Sequence, residues 1–239
     1  MTAMDVTVVE DPARACADAL LAAARARPDS HIVLSGGSSP KAAYRLVAAE
    51  DPHAFAGAIL WFGDERCVAP DDERANYRMA VETLLHPLAA AGVKPVCHRI
   101  PAEGGPEVAA LAYERLLRDT WRTGAPAFDL VLAGIGPDGH TLSLFPGAPS
   151  VTERERLVVG VTQAGLEPFV PRVSLTLPAL AGAARVVVLA TGAGKVDAVA
   201  RAFGEGAVPD ANVPASMLAS AVAPGALTVL LDAAAAERL

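Results

Sequence analysis

Several residue types that mark whole classes of function are scarce in this chain. Cys16, Cys67 and Cys97 are three in number and far apart, which excludes a disulfide framework and a zinc knuckle and leaves buried free thiols as the expectation. The five histidines form no H-x-x-x-H pair and there is no C-x-x-C, so no dedicated metal site is expected. No apolar run approaches the ~20 residues a spanning helix needs. The opening MTAMDVTVVEDPARACADALL has neither the basic segment nor the uninterrupted apolar segment of a secretory signal. A cytoplasmic location without membrane contact is the resulting expectation. Positive charge is also in deficit, with 20 Lys and Arg against 27 Asp and Glu for a net −7. That balance argues against a nucleic-acid partner, because such proteins need basic faces to displace counterions from phosphates. An anionic ligand must therefore meet a local cluster of cations.

Apolar residues, by contrast, make up 52% of the 239 positions, enough to bury a substantial core. Short β-branched runs alternate with longer stretches of helical period: HIVLSGG then SPKAAYRLVAAE, AILWFGDER then ANYRMAVETLLHPLAAAG, FDLVLAGIG, and RVVVLATG then AGKVDAVARAF. Runs such as VVVLA and DLVLA read as strands covered on both faces, as in a mostly parallel sheet between helices. The expected fold is an α/β three-layer sandwich. Neither KPVCHRIPAEGGPE nor EPFVPRVSLTLPALAGA reads as a domain linker, there is no internal repeat, and residues 1–239 are expected to form a single domain. The terminal DAAAAERL reads as a frayed last helical turn.

Four of the strands end in polar or glycine-rich loops: SGGSSPK (35–41), GDER (63–66), GIGPDGHT (134–141) and TGAGK (191–195). Ligands of open parallel α/β sheets bind beyond the carboxyl ends of the strands. If these strands are parallel, the four loops share one edge, although each alone is compatible with an ordinary turn. In the first, Gly36 and Gly37 let backbone approach a ligand, and Ser38 and Ser39 open a helix whose N–H groups suit an anion. An ordinary Ser N-cap, or a serine nucleophile at Ser38, fits the same letters, although Pro40 stands where G-x-S-x-G needs its last glycine. TGAGK lacks the first glycine of a P-loop, since position 189 is Leu189, so ATP is not expected there. Lys195 can still reach a phosphate as a point charge. GDER ends an apolar strand with Asp64, Glu65 and Arg66, and Asn76 and Arg78 open the next helix nearby.

The stretch GIGPDGHTLSLFPG (134–147) satisfies G-x-G-x-x-G, yet Asp138 would repel a pyrophosphate and Pro137 stiffens the loop. What remains is a carboxylate and an imidazole on a glycine-flanked turn. An imidazole suits general-base work near neutral pH, and a neighbouring carboxylate orients it and stabilises its charged form. His140 and Asp138 are thus the candidate catalytic pair.

Taken together, LSGGSSPKAAY, WFGDERCVAPDDERANYRMA, GIGPDGHTLSLFPG and PRVSLTLPAL resemble the 6-phosphogluconolactonase family, over essentially the whole chain and in the family's order. The resemblance implies a modified Rossmann-like fold of the glucosamine-6-phosphate deaminase type. It also implies hydrolysis of 6-phospho-D-glucono-1,5-lactone to 6-phosphogluconate, in the oxidative pentose phosphate pathway and without cofactor. The substrate site so implied comprises Gly36, Gly37, Ser38, Ser39, Asp64, Arg66, Arg172 and Lys195, around the catalytic His140 and Asp138. Arg172 fits poorly, because it begins a strand; only an antiparallel strand would bring it to the shared edge. A small-molecule sugar-phosphate lactone is the expected partner, and a monomer the expected state. The sharpest rival is the related deaminase, whose members carry a glutamate five positions after the His and read DEY; here these are Phe145 and DER. A non-catalytic sugar-phosphate-binding module and a serine esterase using Ser38 are further alternatives.

Overall fold

The computed structural model describes residues 4–122 and 124–239. In chain order the elements are β1 (Asp5–Val8), α1 (Pro12–Ala26), β2 (His31–Leu34), α2 (Ser38–Glu50), β3 (Ile59–Phe62), β4 (Asp64–Arg66), α3 (Asn76–Ala80), α4 (His86–Ala90), β5 (Val96–Cys97), α5 (Pro106–Thr120), β6 (Leu130–Gly134), β7 (Val158–Val161), β8 (Arg172–Leu175), β9 (Val186–Ala190), α6 (Val196–Phe203), α7 (Leu218–Ala221) and β10 (Leu227–Leu231). A π turn joins α3 to α4, so the sequence stretch read as one helix is one irregular helix from 76 to 90.

Seven strands form a sheet in the order β1-β10-β9-β6-β2-β3-β5, and every pairing in it is parallel. All residues of β9 and β10 are buried, as expected where helices cover both faces. A second, antiparallel sheet has the order β4-β8-β7. GDER is therefore no simple strand-end loop: Gly63 alone separates β3 from β4, and the chain passes directly into a strand of the small sheet.

Local chemistry fixes the helices around this frame. Asp11 accepts the N–H of Arg14 at 2.9 Å and Pro12 occupies the first turn of α1, a capping arrangement worth ~1 kcal/mol. The buried stripe of α1 includes Cys16, Leu20 and Ala24, four residues apart, and it packs beside α2 and over β2, β9 and β10. On α2 the buried face is Pro40, Ala43, Tyr44 and Val47. The Tyr44 hydroxyl donates to the Ser35 carbonyl and accepts its N–H, both at 2.9 Å, which pins the end of β2. Tyr113 of α5 does the same for β3, accepting the N–H of Phe62 at 2.9 Å and donating to its carbonyl at 3.2 Å. Because α5 also packs on β7 and β8, it joins the two sheets.

Buried apolar side chains from Cys16 to Ala235 form one contiguous cluster. Of the three thiols only Cys16 is fully buried, while Cys67 and Cys97 are partly exposed; all are free. The end of the chain is a run of turns and not the helical turn expected. Among the described residues no helix is long and apolar enough to cross a membrane.

Candidate active site

In the large sheet β9, β6, β2 and β3 are consecutive neighbours, and the four loops singled out in the sequence follow these four strands. The sheet also reverses its direction of growth between β2 and β6, the place where open α/β sheets leave a crevice. A cavity of about 230 Å³ opens there, lined by residues that include Gly36, Gly37, Asp64, Arg66, Asn76, His140, Arg172 and Lys195.

After β6 the chain makes a β-turn closed by Gly139 N–H to Gly136 O at 3.0 Å, with Pro137 and Asp138 at its centre, positions that both residues favour. No helix follows, which removes the dinucleotide-binding alternative. The turn folds Asp138 back so that its Oδ1 lies 2.6 Å from His140 Nδ1 and accepts the His140 backbone N–H at 3.1 Å. The imidazole then keeps Nε2 for the cavity, since a hydrogen bond to Asp138 assigns the proton to Nδ1. Burial raises the Asp138 carboxyl, but the hydrogen bond and charge of His140 outweigh it and hold the group below the ordinary aspartate value. Gly136 has no freedom to be anything else, because a Cβ there would strike both His140 Nδ1 and Asp138 Oδ1. Leu142, also on the wall, adopts φ 54°, a left-handed strain of ~1–2 kcal/mol located at the site. Phe145 packs its ring 4.9 Å from that of His140.

Asp64, which also lines the cavity, is 6% exposed. Its Oδ1 accepts from Asn76 Nδ2 at 3.0 Å and its Oδ2 from the Ser143 hydroxyl at 2.6 Å. Glu65 turns away from the cavity and accepts the N–H groups of Arg66, Asn76 and Tyr77, each at 2.7 Å. It thereby caps α3 and sets Asn76 against Asp64; burial pushes its carboxyl up to about 7, against the pull of those three donors. Gly36 is required here for a reason the sequence did not reveal: a Cβ would strike Asn76 Oδ1.

The cations come from three elements. Arg172 is 4% exposed and sits opposite Arg66 in antiparallel register, so the feature that made it a poor fit is resolved by an antiparallel β8. Arg172 Nη2 donates to Pro168 O at 3.0 Å, Arg66 Nη1 donates to Arg74 O at 2.6 Å, and the Nε of each is buried without a partner among the described residues. Burial, then the charge of Arg66, lowers the Arg172 pKa; burial lowers that of Lys195, with Asp138 opposing. The cavity thus gathers three cations beside an Asp-oriented imidazole.

Asp138 touches His140 without lining the cavity itself, and two expected serines stand back from it as well. Ser38 is exposed in the first turn of α2, where Gly37 takes the N-cap position, and Ser39 shares a 2.7 Å hydrogen bond with Thr191. Neither lines the cavity. Arg78 is engaged with Glu82 and the Asp71 carbonyl. Ile135 belongs to the expected loop 134–141, whereas Leu142, Leu166 and Glu167 on the wall lie outside the four expected loops. The loop carrying Leu166 and Glu167 offers no periodicity or motif that could have shown it. Among the described residues no cluster of His, Cys, Asp and Glu fits a metal.

A profile of the family described as glucosamine-6-phosphate isomerases/6-phosphogluconolactonase matches residues 5–228. The chain belongs to this family. The 6-phosphogluconolactonase of Mycobacterium tuberculosis is 40% identical over 227 residues, covering 92% of this chain and 90% of its own. Among solved structures, 6-phosphogluconolactonase from Trypanosoma cruzi superimposes with a TM-score of 0.84 at 28% identity, over 100% of this chain and 97% of that one. A monomeric glucosamine-6-phosphate deaminase superimposes with a TM-score of 0.83 over 99% and 100% of the two chains, but at 18% identity. That match establishes the common fold alone. Both chemistries named for the family therefore use this architecture, and the side chains around His140 must separate them.

Proposed function

We propose that this chain hydrolyses 6-phospho-D-glucono-1,5-lactone to 6-phospho-D-gluconate, the lactone-opening step of the oxidative pentose phosphate pathway. The single observation that carries the reading is the environment of His140: Asp138 on Nδ1 and an aromatic ring, Phe145, tilted beside it with centroids 4.9 Å apart. Ring opening and isomerisation of an amino sugar call for a second carboxylate beside the imidazole. Lactone hydrolysis needs only a base for water and donors for an oxyanion.

In the mechanism that follows, His140 Nε2 removes a proton from water while the oxygen adds to the lactone carbonyl. Asp138 stabilises the imidazolium so formed and holds the ring in its productive tautomer. The tetrahedral oxyanion is met by Arg66 or by N–H groups of the glycine loops. Collapse breaks the bond to the ring oxygen, which takes the proton back from His140, and the new carboxyl group ionises. Lys195 and Arg172 receive the phosphoryl group, with N–H groups at Gly36 and Gly37 and the first turn of α2 adding donors. Ser38 and Ser39 serve through this helical turn. Holding the remote dianion fixes the carbonyl near His140, so phosphate contacts contribute to rate as well as affinity. Asp64, oriented by Asn76 and Ser143, accepts from sugar hydroxyls. The continuous core supports reading residues 1–239 as one catalytic unit.

The test is to supply freshly generated 6-phosphogluconolactone and glucosamine 6-phosphate in parallel. Acid release from the lactone above the spontaneous rate, with no ammonia from the amino sugar, is the expected result. Ammonia release would overturn the substrate assignment.

A further inference from the structure

The loop that carries Lys195 is held from a part of the chain that the mechanism above does not use. Asp232 follows β10, whose last residue, Leu231, pairs in register with Ala190 at the end of β9. Its carboxylate therefore arrives beside the loop that leaves β9. Both oxygens accept the N–H of Gly192, Oδ1 at 3.0 Å and Oδ2 at 2.9 Å. Oδ1 also accepts the N–H of Ala235 at 2.7 Å, which ties the C-terminal turns to the same point. Gly192 stands at φ +87°, a conformation only glycine adopts at little cost. Its carbonyl in turn accepts the N–H of Lys195 at 3.1 Å.

A continuous path thus runs from Asp232 through Gly192 to the lysine on the cavity wall. Bonds to an ionised acceptor are roughly twice as strong as neutral ones, and this one fixes the residue from which the short turn 193–195 begins. The loop is also fastened by a hydroxyl contact between Thr191 and Ser39. Further along, Arg238 pairs with Asp197 of α6 and holds the same C-terminal segment over this helix. Asp232 itself does not line the cavity, so any effect it has on substrate must pass through the loop.

We propose that Asp232 is a positioning residue for phosphate recognition: by clamping Gly192 it sets Lys195 where the substrate's phosphoryl group binds. This rests on the reading of Lys195 as a phosphate ligand. Without the clamp the 191–195 loop samples other conformations, and each encounter with substrate must first select the competent one. The cost falls on phosphate affinity and not on the chemistry at His140, which stands on a different loop.

The experiment compares Asp232→Ala, Asp232→Asn and Lys195→Ala on 6-phosphogluconolactone and on unphosphorylated glucono-1,5-lactone, with inorganic phosphate as a competitive inhibitor. For Asp232→Ala, KM for the phosphorylated lactone and the phosphate inhibition constant should each rise about tenfold, the scale of losing one hydrogen bond to a charged group. Its activity on the unphosphorylated lactone should stay at the wild-type level. Asp232→Asn, which keeps one acceptor oxygen, should show a smaller rise of the same kind, about two- to threefold. If Asp232→Ala fails to fold, the asparagine variant decides: a selective rise supports the clamp, and wild-type constants overturn it. Equal losses on both lactones would assign Asp232 to folding and overturn it too. If Lys195→Ala abolishes the preference for the phosphorylated lactone while both Asp232 variants keep it, the clamp fails and the phosphate reading stands. If Lys195→Ala retains the preference, the phosphate reading fails and the clamp with it.

Discussion

Arg66 and Arg172 are register partners across the antiparallel pair β4–β8, so two guanidinium groups stand side by side on one wall of the cavity. Like charges directly opposite in a sheet are destabilising, and here each also buries an Nε without a partner among the described residues. An anion between them relieves both penalties. The product 6-phosphogluconate at 100 times its dissociation constant should therefore stabilise the wild type by about 2.7 kcal/mol. Arg172→Gln should lose most of that gain, as measured by calorimetric melting with and without product. An undiminished shift in the variant would take Arg172 out of the anion site.

Replacing the base tests the other half of the site. His140→Asn should keep the product-induced stabilisation yet lose ~10²–10⁴-fold in kcat. Asp138→Asn should fall within the same range for a different reason: its amide would donate to Nδ1 and force the proton onto Nε2, the wrong tautomer for a base. The rate must be corrected for spontaneous opening of the lactone. Unimpaired turnover by His140→Asn would remove it from the mechanism while leaving the substrate standing.

The collision built into Gly136 offers a test by geometry alone. Gly136→Ala leaves every functional group in place but drives a methyl into the His140–Asp138 pair. A displacement of ~1 Å at a reacting group costs on the order of 10²-fold in rate. We expect a loss of that size in kcat, with circular dichroism unchanged. Wild-type turnover would show that the pair does not need its observed geometry.

The pH dependence of stability should report a different part of the molecule. Trp61 Nε1–H donates to His31 Nδ1 at 3.0 Å, and His98 packs 4.3 Å from the Trp61 ring. Burial pulls both imidazoles below their ordinary 6.5, with Asp129 opposing it at His31. A base whose pKa is depressed by folding binds protons more readily when unfolded. The contribution of these two imidazoles is therefore fully present above pH 6.5 and is lost as pH falls from there through the depressed folded values, while Glu65, held up to about 7, acts with the opposite sign over the same window. His31→Gln preserves an acceptor for Trp61 and cannot titrate, so urea midpoints measured across this window should fall less steeply than in the wild type. Parallel slopes would exclude His31 as a contributor.

Much of the site was legible in the sequence because a parallel α/β sheet has one functional edge. Once VVVLA and DLVLA read as doubly covered strands, the loops after β2, β3, β6 and β9 were bound to meet at that edge. The Asp138–His140 pair was legible for a still more local reason: two residues on a Pro–Asp–Gly turn need no distant partner to meet. The edge strand β1 and its neighbour β10 were not singled out, and β10 became informative only through its neighbours, since it carries Asp232 to Gly192.

The sequence by itself thus determined the fold class, the strand-end loops and the imidazole with its carboxylate, all properties of local pattern and chain direction. Only the tertiary structure decided which cations face the cavity. Arg172 reaches it because β8 runs antiparallel in a second sheet, and Arg78, which opens the helix beside GDER, is spent on Glu82. Tertiary structure also revealed that Gly36 makes room for Asn76, that Glu65 faces three backbone N–H groups instead of substrate, and that Ser38 stays outside the cavity. The physical reason is common to all of these. Strand pairing between distant segments sets the direction in which a side chain points, and no window of local sequence contains both partners of that pairing.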